Sequence, residues 1–255
     1  MQQVRWTAFG LSSAITKTVL HFFPSAVSTS APYPVSVTLS VFSNEFPRKS
    51  LTIEGGRLGQ PDGFRLEEAI PSLAEALPGF VGLQVELSTP QPRIDLSPSC
   101  CIIEFVSTAQ SVKFSPQPSS VRSKSVQPDG EARRLSAFPL MQDAYGFSSL
   151  LIVNGSDRPV GTRLSSPISM GPIETGPLIE GGKMDTIGSP EVQPGSVAEV
   201  QVPDQLIQAR SPDECSWGLV RSRVLLFERS DQPAVSFFGL FRESVAKRIV
   251  SVVAL

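Results

Sequence analysis

The sequence predicts an all-β protein: two tandem antiparallel β-sandwich domains, jelly-roll-like, with little helix. Three observations carry this expectation. Apolar side chains alternate strictly along several segments, the composition is hostile to long helices, and a pattern recurs in the second half of the chain. The alternation is clearest in Val35-Ser36-Val37-Thr38-Leu39-Ser40-Val41, where a strand turns every apolar residue to one face. Val81, Leu83, Val85 and Leu87 repeat it. Further strands are expected at Cys101–Val106, Phe147–Val153, Val197–Val202, Leu219–Phe227, Val235–Phe241 and Ile249–Leu255. The runs Leu150–Val153 and Val224–Phe227 are apolar throughout, as in central strands covered on both faces.

The chain contains 23 Pro and 19 Gly. Proline removes a backbone donor and glycine costs entropy inside a helix, so long helices are disfavoured. Leu66, Ile70, Leu73 and Leu77 approach helical spacing, and Pro71 interrupts them, which predicts one or two short turns. Leu206–Ala209 and Ser244–Arg248 each read as a brief helical turn.

Residues 108–132 are polar and rich in Pro and Ser. They predict a linker between an N-terminal domain, 1–107, and a C-terminal domain, 133–255. A second irregular stretch, Thr162–Pro194, has the length and composition of a functional loop.

The halves on either side of the linker share features in the same order. Tyr33 to Val41 matches Tyr145 to Val153 at an offset of 112, and Pro47 matches Pro159. Ile53-Glu54-Gly55-Gly56 echoes Ile179-Glu180-Gly181-Gly182, and Gln91-Pro92 echoes Gln232-Pro233. The growing offset is what duplication followed by insertion in the second copy produces. The segment Ile152-Val153-Asn154-Gly155-Ser156-Asp157, with Val224–Gln232, loosely resembles the β-sandwich of the sensory rhodopsin transducer family. The resemblance covers part of each repeat. It implies a sandwich fold and no activity, because no functional motif of that family is matched.

Net charge is −2, from 22 Lys+Arg and 24 Asp+Glu. A grip on a phosphate backbone needs a basic surplus or stripe, so nucleic acid is not expected as a partner. No run of apolar residues is long enough for a membrane span, and the first 20 residues lack the shape of a signal peptide. The expected location is therefore cytoplasmic. Cys100, Cys101 and Cys215 are too few for a disulfide framework. The adjacent pair reads as two small apolar residues pointing to opposite faces of a strand, with a vicinal disulfide or redox switch as the alternative.

No catalytic constellation is visible, and no cofactor or metal is expected. The lone histidine, His21, lies among Val19, Leu20, Phe22 and Phe23 and reads as a partly buried structural residue. Glycine-rich corners precede Arg57 and Lys183, which makes these two cations the ligand-binding candidates, for an anion. Neither corner has the spacing of a phosphate loop. Glu67 and Glu68 suit a first helical turn. Asn154-Gly155-Ser156 is a glycosylation sequon that reads as a tight turn with positive φ. Phe237, Phe238 and Phe241 crowd one segment. Neighbours on a strand face opposite ways, so these three are the interface candidates.

The leading functional expectation is a non-enzymatic binding or assembly module, a homo-oligomer or a part of a larger protein assembly. The alternatives are a small-ligand or carbohydrate-binding β-sandwich, a viral or phage structural protein, and a hydrolase whose carboxylates converge only on folding. Asp185, Glu191, Asp213 and Glu214 are the acids available for that last reading.

Overall fold

The computed structural model describes residues 2–13, 15–23, 35–54, 62–75, 79–91, 96, 100–119, 133–140, 146–167, 184–188, 190–201, 223–230, 232, 234–243 and 248–255. Among these residues it is an all-β structure of antiparallel sheets with two single turns of helix. The first half contains β1 (Gln2–Ser12), β2 (Thr16–Phe22), β3 (Ser36–Phe42), β4 (Lys49–Glu54) and β5 (Phe64–Arg65). The helical turns α1 (Leu66–Ala69) and α2 (Ser72–Glu75) follow, then β6 (Gly79–Thr89), β7 (Cys101–Ser107), β8 (Ser111–Phe114) and β9 (Pro118–Ser119). The second half begins with β10 (Arg133–Leu140), β11 (Gly146–Asn154), β12 (Val160–Gly161), β13 (Leu164–Pro167) and β14 (Met184–Gly188). It ends with β15 (Glu191–Val192), β16 (Ser196–Gln201), β17 (Arg223–Ser230), β18 (Val235–Glu243) and β19 (Ile249–Ala254).

The first half forms one sheet in the order β4-β3-β6-β1-β9 and another in the order β5-β2-β7-β8. The second half forms β16-β11-β18-β19 and β10-β17-β13-β14, with β12 and β15 as a small separate ladder. The alternation found in the sequence sets the registers. Leu39 stands opposite Val85, and Val85 opposite Trp6, so the valine and leucine faces of β3 and β6 coincide with the Trp6-Ala8 face of β1. That face is buried in one cluster with Leu20, Phe22, Cys101 and Ile103 of the neighbouring sheet. At the β1–β2 corner, the Thr18 hydroxyl accepts a hydrogen bond from Leu11 N–H (2.9 Å) and donates one to Leu11 O (2.9 Å). A side chain thus serves backbone groups where the chain passes from one sheet to the next.

Strand β11 is buried on both faces, as its unbroken apolar run predicts. Leu151, Val153, Phe238 and Leu240 belong to the cluster of the first half. Leu150, Ile152 and Phe237 belong to a second cluster with Phe138, Leu164 and Phe227. One apolar layer therefore joins the two halves. Its centre is Phe9, fully buried, whose ring lies 4.9 Å from Phe238, 5.2 Å from Phe114, 5.3 Å from Phe105 and 5.6 Å from Phe80. Polar contacts flank it. Arg242 forms a two-pronged pair with Glu199 (2.9 and 3.0 Å) while its guanidinium lies 5.1 Å from the centre of the Phe80 ring. Gln110 Nε2 donates to Ile249 O at 2.8 Å, and Asn44 Oδ1 accepts from Val197 N–H at 3.1 Å.

Several expectations about local structure change here. Residues 108–119, read as the start of a linker, build β8 and β9. In β8 only Val112 and Phe114 face inward, so the polar residues between them hid the strand. Residues 120–132 lie outside the described residues. Helical turns do flank Pro71, with Glu67 and Glu68 in the first turn of α1. Leu206–Ala209 and residues 244–247 of the second helical reading lie outside the described residues. Gly155 does not adopt positive φ; among the described glycines only Gly63 and Gly195 do. A Cβ on Gly155 would lie 2.5 Å from Gln84 Nε2 and 3.2 Å from Ala234 O, so a side chain there would have to displace the end of the Gln84 side chain.

Removing the ring at the centre of the shared layer should be costly. Phe9→Ala is expected to destabilise the protein by about 3–5 kcal/mol, read from the midpoint of urea denaturation. Val106→Ala, at an exposed position of β7, is expected to stay within about 0.5 kcal/mol.

Candidate functional site

Four polar and ionisable side chains, His21, Glu104, Ser111 and Lys113, come together on the outer face of the β5-β2-β7-β8 sheet. In the β2–β7 ladder Val19 stands opposite Glu104 and His21 opposite Ile102, which places His21 and Glu104 diagonally on one face. In the β7–β8 ladder Lys113 stands directly opposite Glu104. His21 Nε2 lies 2.6 Å from Glu104 Oε2, and both side chains are largely buried. An ionised carboxylate only accepts, so the proton lies on Nε2. The other carboxylate oxygen accepts from the Ser111 hydroxyl and lies 3.4 Å from Lys113 Nζ. Gly63, at φ +67°, presses its backbone against the imidazole; a Cβ there would lie 2.7 Å from Cε1 and 2.8 Å from Nδ1. The Phe23 ring lies parallel to the imidazole at 5.9 Å.

Burial alone pushes the Glu104 carboxyl up. The hydrogen bonds from Ser111 and His21, with the charge of Lys113, outweigh it and hold the group below the ordinary carboxylate range. The arrangement keeps a carboxylate ionised and a proton fixed on Nε2. It is not a nucleophilic triad, because the serine hydroxyl bonds to the carboxylate and not to the imidazole. His21 is thus the buried, partnered histidine that its apolar neighbours suggest.

A second feature is a cleft of about 150 Å³ where the β1–β2 turn, the β7–β8 turn and the start of β19 meet. Leu11, Phe105, Val112 and Ile249 supply apolar wall, and Ser13, Gln110 and Arg248 supply polar edge. Arg248 is held by Glu243, at 2.6 and 2.9 Å.

Of the residues singled out from the sequence, His21 lies in the first feature. Arg57, Lys183, Asp213 and Glu214 lie outside the described residues, as does Cys215. Phe237 and Phe238 are each 1% exposed and face the two clusters within the chain, Phe237 toward Phe227 and Phe238 toward Phe9. Phe241 is half-buried against Phe138. Glu191 is exposed on β15, and Asp185 lies on β14. Cys100 and Cys101 are buried, and burial followed by the charge of Cys100 pushes the Cys101 thiol far up, which suppresses its thiolate chemistry. Among the described residues, no group of three or more His, Cys, Asp or Glu could hold a metal ion.

The partners of His21 escaped the sequence reading. Glu104 sits alone among Cys101, Ile102, Ile103, Phe105 and Val106, and an isolated carboxylate in such a strand signals a buried partner. Which partner depends on strand register, which spacing alone does not supply. No protein-family model matches the chain, and no curated protein matches it.

The depressed titration of Glu104 fixes the sign of a pH effect. Its ionised form contributes stability above the unfolded carboxylate range, and that contribution is lost as pH falls through the folded value. Glu104→Gln is expected to cost about 1–2 kcal/mol at neutral pH and to flatten the fall in stability toward acid, read from urea midpoints across the acid range.

Proposed function

We propose that the chain is a non-enzymatic assembly module made of two β-sandwich units of common design, and that it self-associates through β19. The carrying observation is the composition and exposure of this strand. Ile249-Val250-Ser251-Val252-Val253-Ala254 contains no charge and no proline, the features that blunt a sheet edge. Val250 is 48% and Val253 42% exposed, beside the half-buried Phe241. β19 pairs only with β18 among the described strands, and β8 packs against it. A second copy placed by twofold symmetry meets this strip with the same strip, as an isologous contact requires.

A duplicated origin is supported by strand plan more than by residue matches. The strands β2, β3, β4, β5 and β6 pair as β2·β5, β3·β4 and β3·β6, all antiparallel. The strands β10, β11, β16, β17 and β18, taken in the same order, pair as β10·β17, β11·β16 and β11·β18, also antiparallel. The extra strands β12 to β15 then form an insertion between the third and second equivalents. The offset of 112 aligns the bends at 44–46 and 156–158. It also aligns Leu39 and Val41 with Leu151 and Val153, which face the other half where Leu150 and Ile152 face their own. One residue of slip reverses a strand's faces, so the residue match is out of phase with the pairing. The Gln-Pro match fares similarly: Gln91 follows β6, whereas Gln232 follows β17, the equivalent of β5.

Small-ligand binding is the second reading, favoured by the cleft between Phe105 and Ile249 with Arg248 at its rim. Light scattering after size exclusion separates the two. The assembly reading expects a mass at least twice the 27.4 kDa monomer, and expects the double variant Val250→Lys, Val253→Lys to return to monomer with an unchanged β-sheet spectrum. A monomeric wild type at high concentration would count against assembly. Nuclear resonance shifts confined to the cleft on adding a small carboxylate such as butyrate would then favour the ligand reading.

A further inference from the structure

Asn154-Gly155 combines a labile sequence with an unusually occupied setting. In an unfolded chain the nitrogen of a glycine after asparagine attacks the side-chain amide, because no Cβ hinders it. Here every atom that step requires is engaged. Asn154 is fully buried. Its Nδ2 donates to the carbonyl oxygens of Arg158 (2.8 Å), Val192 (2.9 Å) and Gln193 (3.2 Å). Its Oδ1 accepts from the Ser156 N–H (3.0 Å) and hydroxyl (2.6 Å). The Gly155 N–H donates to Ala234 O at 2.8 Å. Gly155 O accepts from Arg48 Nη2 (2.8 Å) and Gln84 Nε2 (3.1 Å), both in the first half of the chain.

We propose that Asn154 is a latent deamidation site, silent in the folded protein and exposed only when the grip of Arg48 and Gln84 on Gly155 is released. The reaction needs only water. Gly155 N gives its proton to solvent and bonds to Cγ of Asn154, the departing Nδ2 takes a proton from water as the Cγ–Nδ2 bond breaks, and ammonia leaves. Water then opens the succinimide to aspartate or isoaspartate. Either product replaces a donor with an acceptor-only carboxylate. Three carbonyls, that of Val192 buried, then lose their donor and face a negative charge, so the modified segment does not close again. Deamidation at this position is a one-way mark of chains that have opened. The same bonds keep the side-chain nitrogen of the sequon from a glycosylating enzyme.

The test incubates the full-length protein in mildly alkaline buffer with and without urea and follows aspartate and isoaspartate at position 154 by peptide mass spectrometry. The expected rate in the folded protein is at least ~100-fold below that in urea. Equal rates overturn the proposal. Gln84→Ala is expected to raise the rate in buffer severalfold, at unchanged β-sheet spectrum, and to leave the rate in urea unchanged; no change in buffer removes the role assigned to the grip. On dilution from urea, the deamidated fraction is expected to be depleted from refolded protein. Deamidated chains that refold with the wild-type urea midpoint sink the one-way step.

Discussion

The packing of Phe9 against four other rings is the contact on which the arrangement depends. Phe80 extends the sheet that holds Phe9, Phe105 and Phe114 come from the neighbouring sheet, and Phe238 comes from the second half of the chain. Each such aromatic pair contributes about 0.5–1.5 kcal/mol beyond the burial of its area. The rings meet edge-on, tilted and stacked, which fixes angles as well as distances. A phenylalanine has no polar tip to satisfy, so this junction of three sheets needs no water and no hydrogen bond.

Around that apolar centre, polar contacts set register without carrying most of the stabilisation. Arg242 spans Glu199 and Phe80, while Arg48 and Gln84 converge on the single carbonyl of Gly155. Charge-assisted bonds of this kind are directional. They define how the halves meet, whereas the rings supply the attraction. The His21–Glu104 network does comparable work within one sheet, tying β2, β7 and β8 together beneath the backbone of Gly63.

Reading strands from alternation succeeded where one face is polar. Val35 to Val41 and Val81 to Leu87 show their faces directly, and β3 and β6 follow. It failed for β1, where Trp6, Thr7, Ala8, Phe9 and Gly10 are all buried, and for β4 and β10, where polar residues interrupt the pattern. A strand that serves two cores has no polar face to betray its period. The candidate site was legible only in part. His21 announced its burial through its neighbours, but Glu104, Ser111 and Lys113 join it through ladder register over 83 and more positions of chain.

The sequence by itself determined the class of structure, because the period of apolar residues and the density of proline and glycine act locally and leave few alternatives to antiparallel strands. It also determined that Leu150 to Val153 must be covered on both sides. The tertiary structure decided what covers them: the aromatic layer of the first half on one face, Phe138 and Phe227 on the other. It decided too that Gly155 lies against Gln84 without the positive φ of a tight turn, and that Asn154 is sealed. These outcomes depend on contacts between residues far apart in sequence, and no local period encodes which distant face a strand will meet.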